Sequence, residues 1–157
     1  MLRLVQQGLR DMESPEQDRI LLGFFSIAVF GRSVTSALQN LRTFDKQAFN
    51  NWYAGWQEEM KADPLCQFFY QLRSEILKDI NPLVGVVLAA AGQDAPRLGA
   101  VTIPGRPSPT MHRGQAIEDT SMINLCRLYV TYLEEMVASI HPIIWDVQDR
   151  WQASQRG

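Results

Sequence analysis

One predicted helix carries the residues best suited to chemistry in this chain. Arg73 and Ser74 form a polar pair inside an apolar stripe of Leu65, Phe68, Phe69, Leu72 and Ile76, and Lys78 follows one turn later. Arginine is a fixed cation with a planar donor fork, suited to holding a phosphate or steadying its developing charge. In such a stripe an arginine needs either a partner or a task. The plainer alternative is that Arg73 lays its stem on Phe69 and pairs with Glu75 or with a carboxylate from another helix.

A second set lies further on. Residues 95–117 hold Arg97, Arg106, Arg113 and His112 and no acidic residue. In a chain of net charge −2 this is a candidate phosphate-contacting loop, with a merely solvated loop as its alternative. Other chemical signatures are missing: no glycine-rich phosphate cradle, no Cys-x-x-Cys, no His-Glu-x-x-His, no Gly-x-Ser-x-Gly. No metal or cofactor site is expected. Of the two histidines, His112 sits in the Pro-rich region and His141 precedes Pro142; both read as surface or helix-end residues. The adjacent pairs Glu58-Glu59 and Glu134-Glu135 point about 100° apart on a helix, so neither forms a shared dyad; solvated faces explain them. The stripe Phe49, Trp52, Tyr53 and Trp56 could offer a stacking platform, but its helical spacing reads as core.

The elements that must position these residues are mostly helical. A chain of 157 residues with 46% apolar and 20% charged residues is one globular domain with room for a real core. Its acidic balance argues against non-specific coating of nucleic acid, which draws on many Lys and Arg contacts, while leaving room for a local phosphate site. The apolar runs 20–30 and 83–91 are too short to span a bilayer. Met1–Gln7 lacks the pattern of a secretion signal, so a cytoplasmic setting without membrane contact is expected. Cys66 and Cys126 fall on apolar faces and are expected as buried free thiols.

Along the chain, Leu2 to Met12 predicts a short helix. Ser14-Pro15-Glu16-Gln17 then predicts a capped start, with Ser14 as N-cap, for a long helix reaching about Leu41. Gly31 within it would allow a bend or a close approach by another helix. Asp45 caps a helix through Met60, and Asp63-Pro64 restarts the chain as a helix through Ile76 and on to Ile80, until Asn81-Pro82 ends it. Residues 83–88 and 100–103 predict two strands of a small hairpin, with a helical extension of 86–91 as the alternative, and a Pro/Gly loop follows. From about Asp119 the helical period returns, with Pro142 expected to kink or restart it. The expectation is all-α: a single domain over 1–157, an antiparallel bundle of about four main helices with a small irregular or β-hairpin insertion at about 83–117.

Three pieces together resemble the HEPN-like helical bundles: Gly31-Arg32-Ser33-Val34-Thr35 on the long helix, Phe49-Asn50-Asn51-Trp52-Tyr53, and Met60 to Leu65 leading into Phe68 to Lys78. The likeness spans roughly residues 15–80. In uncharacterised prokaryotic members the last run ends in Leu-Arg-Asn and then a histidine. The resemblance implies a homodimer whose arginine, polar residue and histidine meet at the interface, active members cutting RNA without metal. By position Arg73 matches the arginine, Ser74 replaces the asparagine, and Lys78 stands in the place of the histidine. An unperturbed lysine is a cation and cannot accept a proton near neutrality, as an imidazole can. The resemblance therefore implies a catalytically degenerate binding or dimerisation module that contacts RNA or nucleotide phosphate, alone or with a cognate protein. An active metal-independent ribonuclease of a toxin or defence system, and a purely structural bundle, are the alternatives.

Overall fold

Apolar residues at three- and four-residue spacing produce, among the described residues, four main helices and a short first one, and the fold is all-α with a small β-hairpin. The computed structural model describes residues 1–43, 45–78 and 107–145. The expected strands at 83–88 and 100–103, the helix stop at 81–82, and Arg97 and Arg106 lie outside them.

Helix α1 (Leu2–Met12) turns Val5, Gly8 and Met12 inward, and α2 (Gln17–Gln39) folds back along it. Gly8 and Gly23 face each other at the crossing, where a Cβ on Gly8 would lie 2.7 Å from the Gly23 carbonyl oxygen. So close a crossing forces the chain to reverse within residues 13–16, and this corrects the expected cap. Ser14 Oγ accepts from the Glu16 N–H at 3.2 Å, closing a local turn. Helix α2 then starts two residues later than expected, behind an extended Glu16 that supplies no side-chain cap. At its far end α2 tightens into a 3-10 turn, Asn40–Thr43. By length and composition alone, Asp18–Thr43 is long and apolar enough to cross a membrane, contrary to the shorter run read from sequence. In this structure α2 packs against α1 and two further helices.

Helix α3 (Lys46–Ala62) begins as expected, Asp45 accepting from the Ala48 N–H at 2.9 Å. Its aromatic stripe serves the core: Phe49 is buried, Trp56 meets the ring of Tyr132 edge-on, and Trp52 Nε1 donates to Ser139 Oγ. Helix α4 (Pro64–Lys78) starts on a proline, whose missing N–H costs nothing in a first turn. All five predicted apolar positions, Leu65, Phe68, Phe69, Leu72 and Ile76, are buried. Helix α5 (Met122–Ser139) closes the bundle behind a Ser121 cap, and a separate helical turn at 141–145 carries Pro142 as the expected restart. Gly31 permits the predicted close approach, since its α-carbon lies against the Tyr129 ring of α5. Both cysteines are free and buried.

The hairpin is β1 (Met111–His112) paired antiparallel with β2 (Gln115–Ala116). Arg113 and Gly114 form its turn with φ of 49° and 75°, both left-handed, as a tight hairpin turn with positive φ at both central residues requires. The sequence reading had placed only loop here. Glycine at the second turn position was the available signal, but an arginine at the first is an unusual choice and masked it.

Candidate functional site

The predicted trio on α4 does not converge. Ser74 Oγ donates to the Tyr70 carbonyl at 3.0 Å, one turn back along its own helix. The Lys78 side chain is 75% exposed, and its Nζ lies 3.9 Å from Glu75. Arg73 is half-buried, and its Nε is enclosed without a hydrogen-bond partner among the described residues. An enclosed donor with nothing to donate to is costly. Arg73 stands one turn beyond Tyr70 on the helix face that includes Cys66.

That face borders a cleft of about 420 Å³ among α2, α3 and α4. Its rim carries Arg32, Tyr53, Gln57, Lys61, Gln67 and Tyr70, and Cys66 and Tyr129 also line it. Among the described residues no carboxylate lines it. The Arg32 guanidinium lies 4.2 Å above the Tyr70 ring, a cation–π contact that positions it without neutralising it. Neither Arg32 nor Lys61 forms an ion pair among the described residues. Tyr129 stacks on Phe69 at 4.2 Å and is buried, which pushes its hydroxyl well above the usual tyrosine range, although Arg32 and Arg73 draw it back. Burial raises the Cys66 thiol too, and nearby Asp63 raises it further, so it is no nucleophile. The cleft can hold an anion and stack a planar group; it has no evident proton acceptor. Nothing in the sequence singles out Arg32 for this role, because only the fold brings α2 beside Lys61.

Arg113, from the basic stretch, is committed elsewhere. Its guanidinium reaches Glu59 at 2.7 Å and also pairs with Glu135, and it lies over the rings of Trp56 and Tyr132. Two carboxylates from α3 and α5 occupy its donors, so phosphate would have to displace them. This also revises the glutamate pairs, read as solvated faces: Glu59 and Glu135 pin the hairpin, while Glu134 accepts from Gln6 of α1 at 2.7 Å.

Beneath the hairpin sits Asp63, 4% exposed. One oxygen accepts the Cys66 N–H at 2.9 Å and caps α4. The other accepts the Arg113 N–H at 2.6 Å and lies 3.0 Å from His112 Nδ1. Burial alone would raise this carboxyl; the N–H groups of Arg113 and Cys66 and the imidazole outweigh it and hold it below the ordinary aspartate value. His112 is therefore no surface residue, which corrects the sequence reading. Asp63 was legible as a helix start, but its tie to a histidine 49 residues away was not. Comparison with protein-family models, with curated proteins and with solved structures finds no match to this chain.

Proposed function

We infer that this chain is a non-catalytic binding module of the HEPN-like kind, taking a phosphate-bearing ligand, RNA or nucleotide, in the cleft of Arg32 and Lys61. The observation that carries this reading is the pair of cations without ion pairs, on a cleft that no described carboxylate lines, in a protein of net charge −2. Arg73, with its unpartnered Nε, supplies a third cation one turn beyond the rim. The same features weigh against the ribonuclease reading. Lys78 is exposed and stands apart from the cleft lining, paired at long range with Glu75.

Titration with nucleoside diphosphates and a short single-stranded RNA, followed by tryptophan fluorescence at low salt, tests the proposal. Arg32→Ala is expected to weaken binding about tenfold, the scale of one charge-assisted phosphate contact. The RNA affinity should fall with added salt at a logarithmic slope near −2, for about three contacts at about 0.7 each. Saturable binding that survives the Arg32→Ala, Lys61→Ala double variant would remove the cleft from the proposal. In a metal-free cleavage assay the natural chain is expected to leave RNA intact; turnover by it would overturn the non-catalytic reading.

The module is proposed to work as a homodimer. Tyr70 and Leu77, 46% and 59% exposed on α4 on either side of Ser74, offer apolar surface for a second copy. A clean monomer in sedimentation at high concentration would exclude this.

A further inference from the structure

The hairpin side of the molecule has a second cleft, of about 300 Å³, with the opposite chemistry. His112 and Gln115 come to it from the hairpin, Glu118 and Asp119 from the following loop, and Asn124 from α5. Among the described residues no lysine or arginine lines it.

The hydrogen-bonding state of each group can be worked out. Asp63 is ionised, for its carboxyl is held low by three donors, so it can only accept. Nδ1 must therefore be the donor toward Asp63, and in that tautomer Nε2 carries the lone pair. Among the described residues Nε2 has no hydrogen-bond partner, and the side chain is 14% exposed. The ring is fixed from behind by Asp63 and edge-on by Tyr132, at 5.7 Å between centroids. Asn124 donates one of its two amide N–H groups to the Asp119 carbonyl at 2.7 Å, which leaves Oδ1 free to accept and one N–H free to donate. Asp119 gives one oxygen to the Ser121 N–H at 2.8 Å. The Glu118 carboxylate takes no bond from the described residues. What remains open is mostly acceptors: an imidazole nitrogen, an amide oxygen and carboxylate oxygens, against one Asn124 N–H and a Gln115 amide able to serve either way.

We propose that this cleft is a binding site for a guanidinium group, carried by a small molecule or by an arginine side chain, with His112 Nε2, Asn124 Oδ1 and Glu118 as its acceptors. A guanidinium presents five donors in one plane and no acceptor, and so complements a pocket of open acceptors. A phosphate is the wrong partner, since its oxygens would face these lone pairs and charges. The site is independent of the cleft of Arg32 and Lys61, and it stands or falls without it.

The chain has two histidines, and His141 is exposed on the helical turn 141–145, so it serves as an internal reference. The experiment is a titration of the full chain with ethylguanidinium chloride and with acetyl-arginine amide, followed by the imidazole nitrogen resonances. Butylammonium and inorganic phosphate are the comparison probes. The His112 Nε2 signal is expected to move saturably with both guanidinium probes while His141 stays put. The acetyl-arginine amide arm distinguishes a side-chain ligand, by tighter binding, from a free small one. Glu118→Gln, a change on the exposed rim that leaves Asp63 and the hairpin untouched, is expected to weaken binding about fivefold. Equal, unsaturable movement of both histidines would overturn the proposal. So would an unchanged affinity in Glu118→Gln, or a stronger response to phosphate.

Discussion

Replacing Asp63 by alanine is expected to destabilise the protein by about 3–5 kcal/mol, lowering the melting temperature by about 10 °C or more. The side chain is 2% exposed and receives three donors: the Cys66 N–H, the Arg113 N–H and the His112 imidazole. Alanine would leave two enclosed backbone N–H groups and an imidazole without an acceptor. Each such loss costs about 1–3 kcal/mol, and the lost cap on α4 is part of the same sum. Asp63→Asn is the informative partner. It keeps an oxygen for one donor but turns an amide N–H₂ toward the others, so it should recover only part of the loss. The pH dependence has a definite sign. A carboxyl held below its unfolded value adds stability that is present above about pH 4 and is lost as pH falls through the folded value. The gap between wild type and Asp63→Ala, measured by urea unfolding, should therefore be full at neutral pH and narrow progressively below pH 4. A constant gap down to pH 2 would mean that the carboxylate charge contributes nothing.

The same substitution at two glycines is expected to act in opposite directions. A Cβ at Gly23 would meet the Gly8 carbonyl oxygen, with the Met12 backbone nitrogen at 2.8 Å. Both are main-chain atoms of α1 and can yield only if the helices part. Overpacking of this kind costs about 1–3 kcal/mol, and rigid backbone on the receiving side puts it at the upper end. Set against an alanine's helix propensity gain of about 1 kcal/mol, Gly23→Ala should still destabilise by about 2 kcal/mol. At Gly55, inside α3, an added Cβ meets nothing within 4 Å. Gly55→Ala should stabilise by about 0.5–1 kcal/mol. Thermal unfolding of the two variants checks both, and a stabilised Gly23→Ala would contradict the tight crossing of α1 and α2.

The helices were legible because burial imposes a period on them. Phe49 to Met60 and Leu65 to Ile76 advertise their buried faces, and Asp45 and Asp63 announce the starts. The missed cap at Ser14 shows where local signals lose. That motif fits a helix start well, but the glycine crossing sets where α1 and α2 must turn, and the serine oxygen is spent inside the turn. The sites were less legible, for a related reason. Arg73, Ser74 and Lys78 are neighbours in sequence, yet their side chains go to an enclosed space, to a backbone carbonyl and to solvent. Arg32 and Lys61, or Asp63 and His112, meet only when separate elements pack, and no spacing along the chain encodes that meeting.

Asp63 holds the first turn of one helix and the tip of a hairpin 50 residues later with a single carboxylate. The two therefore share one opening event. When the hairpin lifts, the carboxylate is rehydrated and the start of α4 loses the environment that fixed its cap; when α4 frays, the hairpin loses its seat. In the currency of amide exchange, Cys66 and Arg113 belong to one cooperative unit although the chain between them is long. The boundaries of that unit follow a side chain, not the order of the backbone.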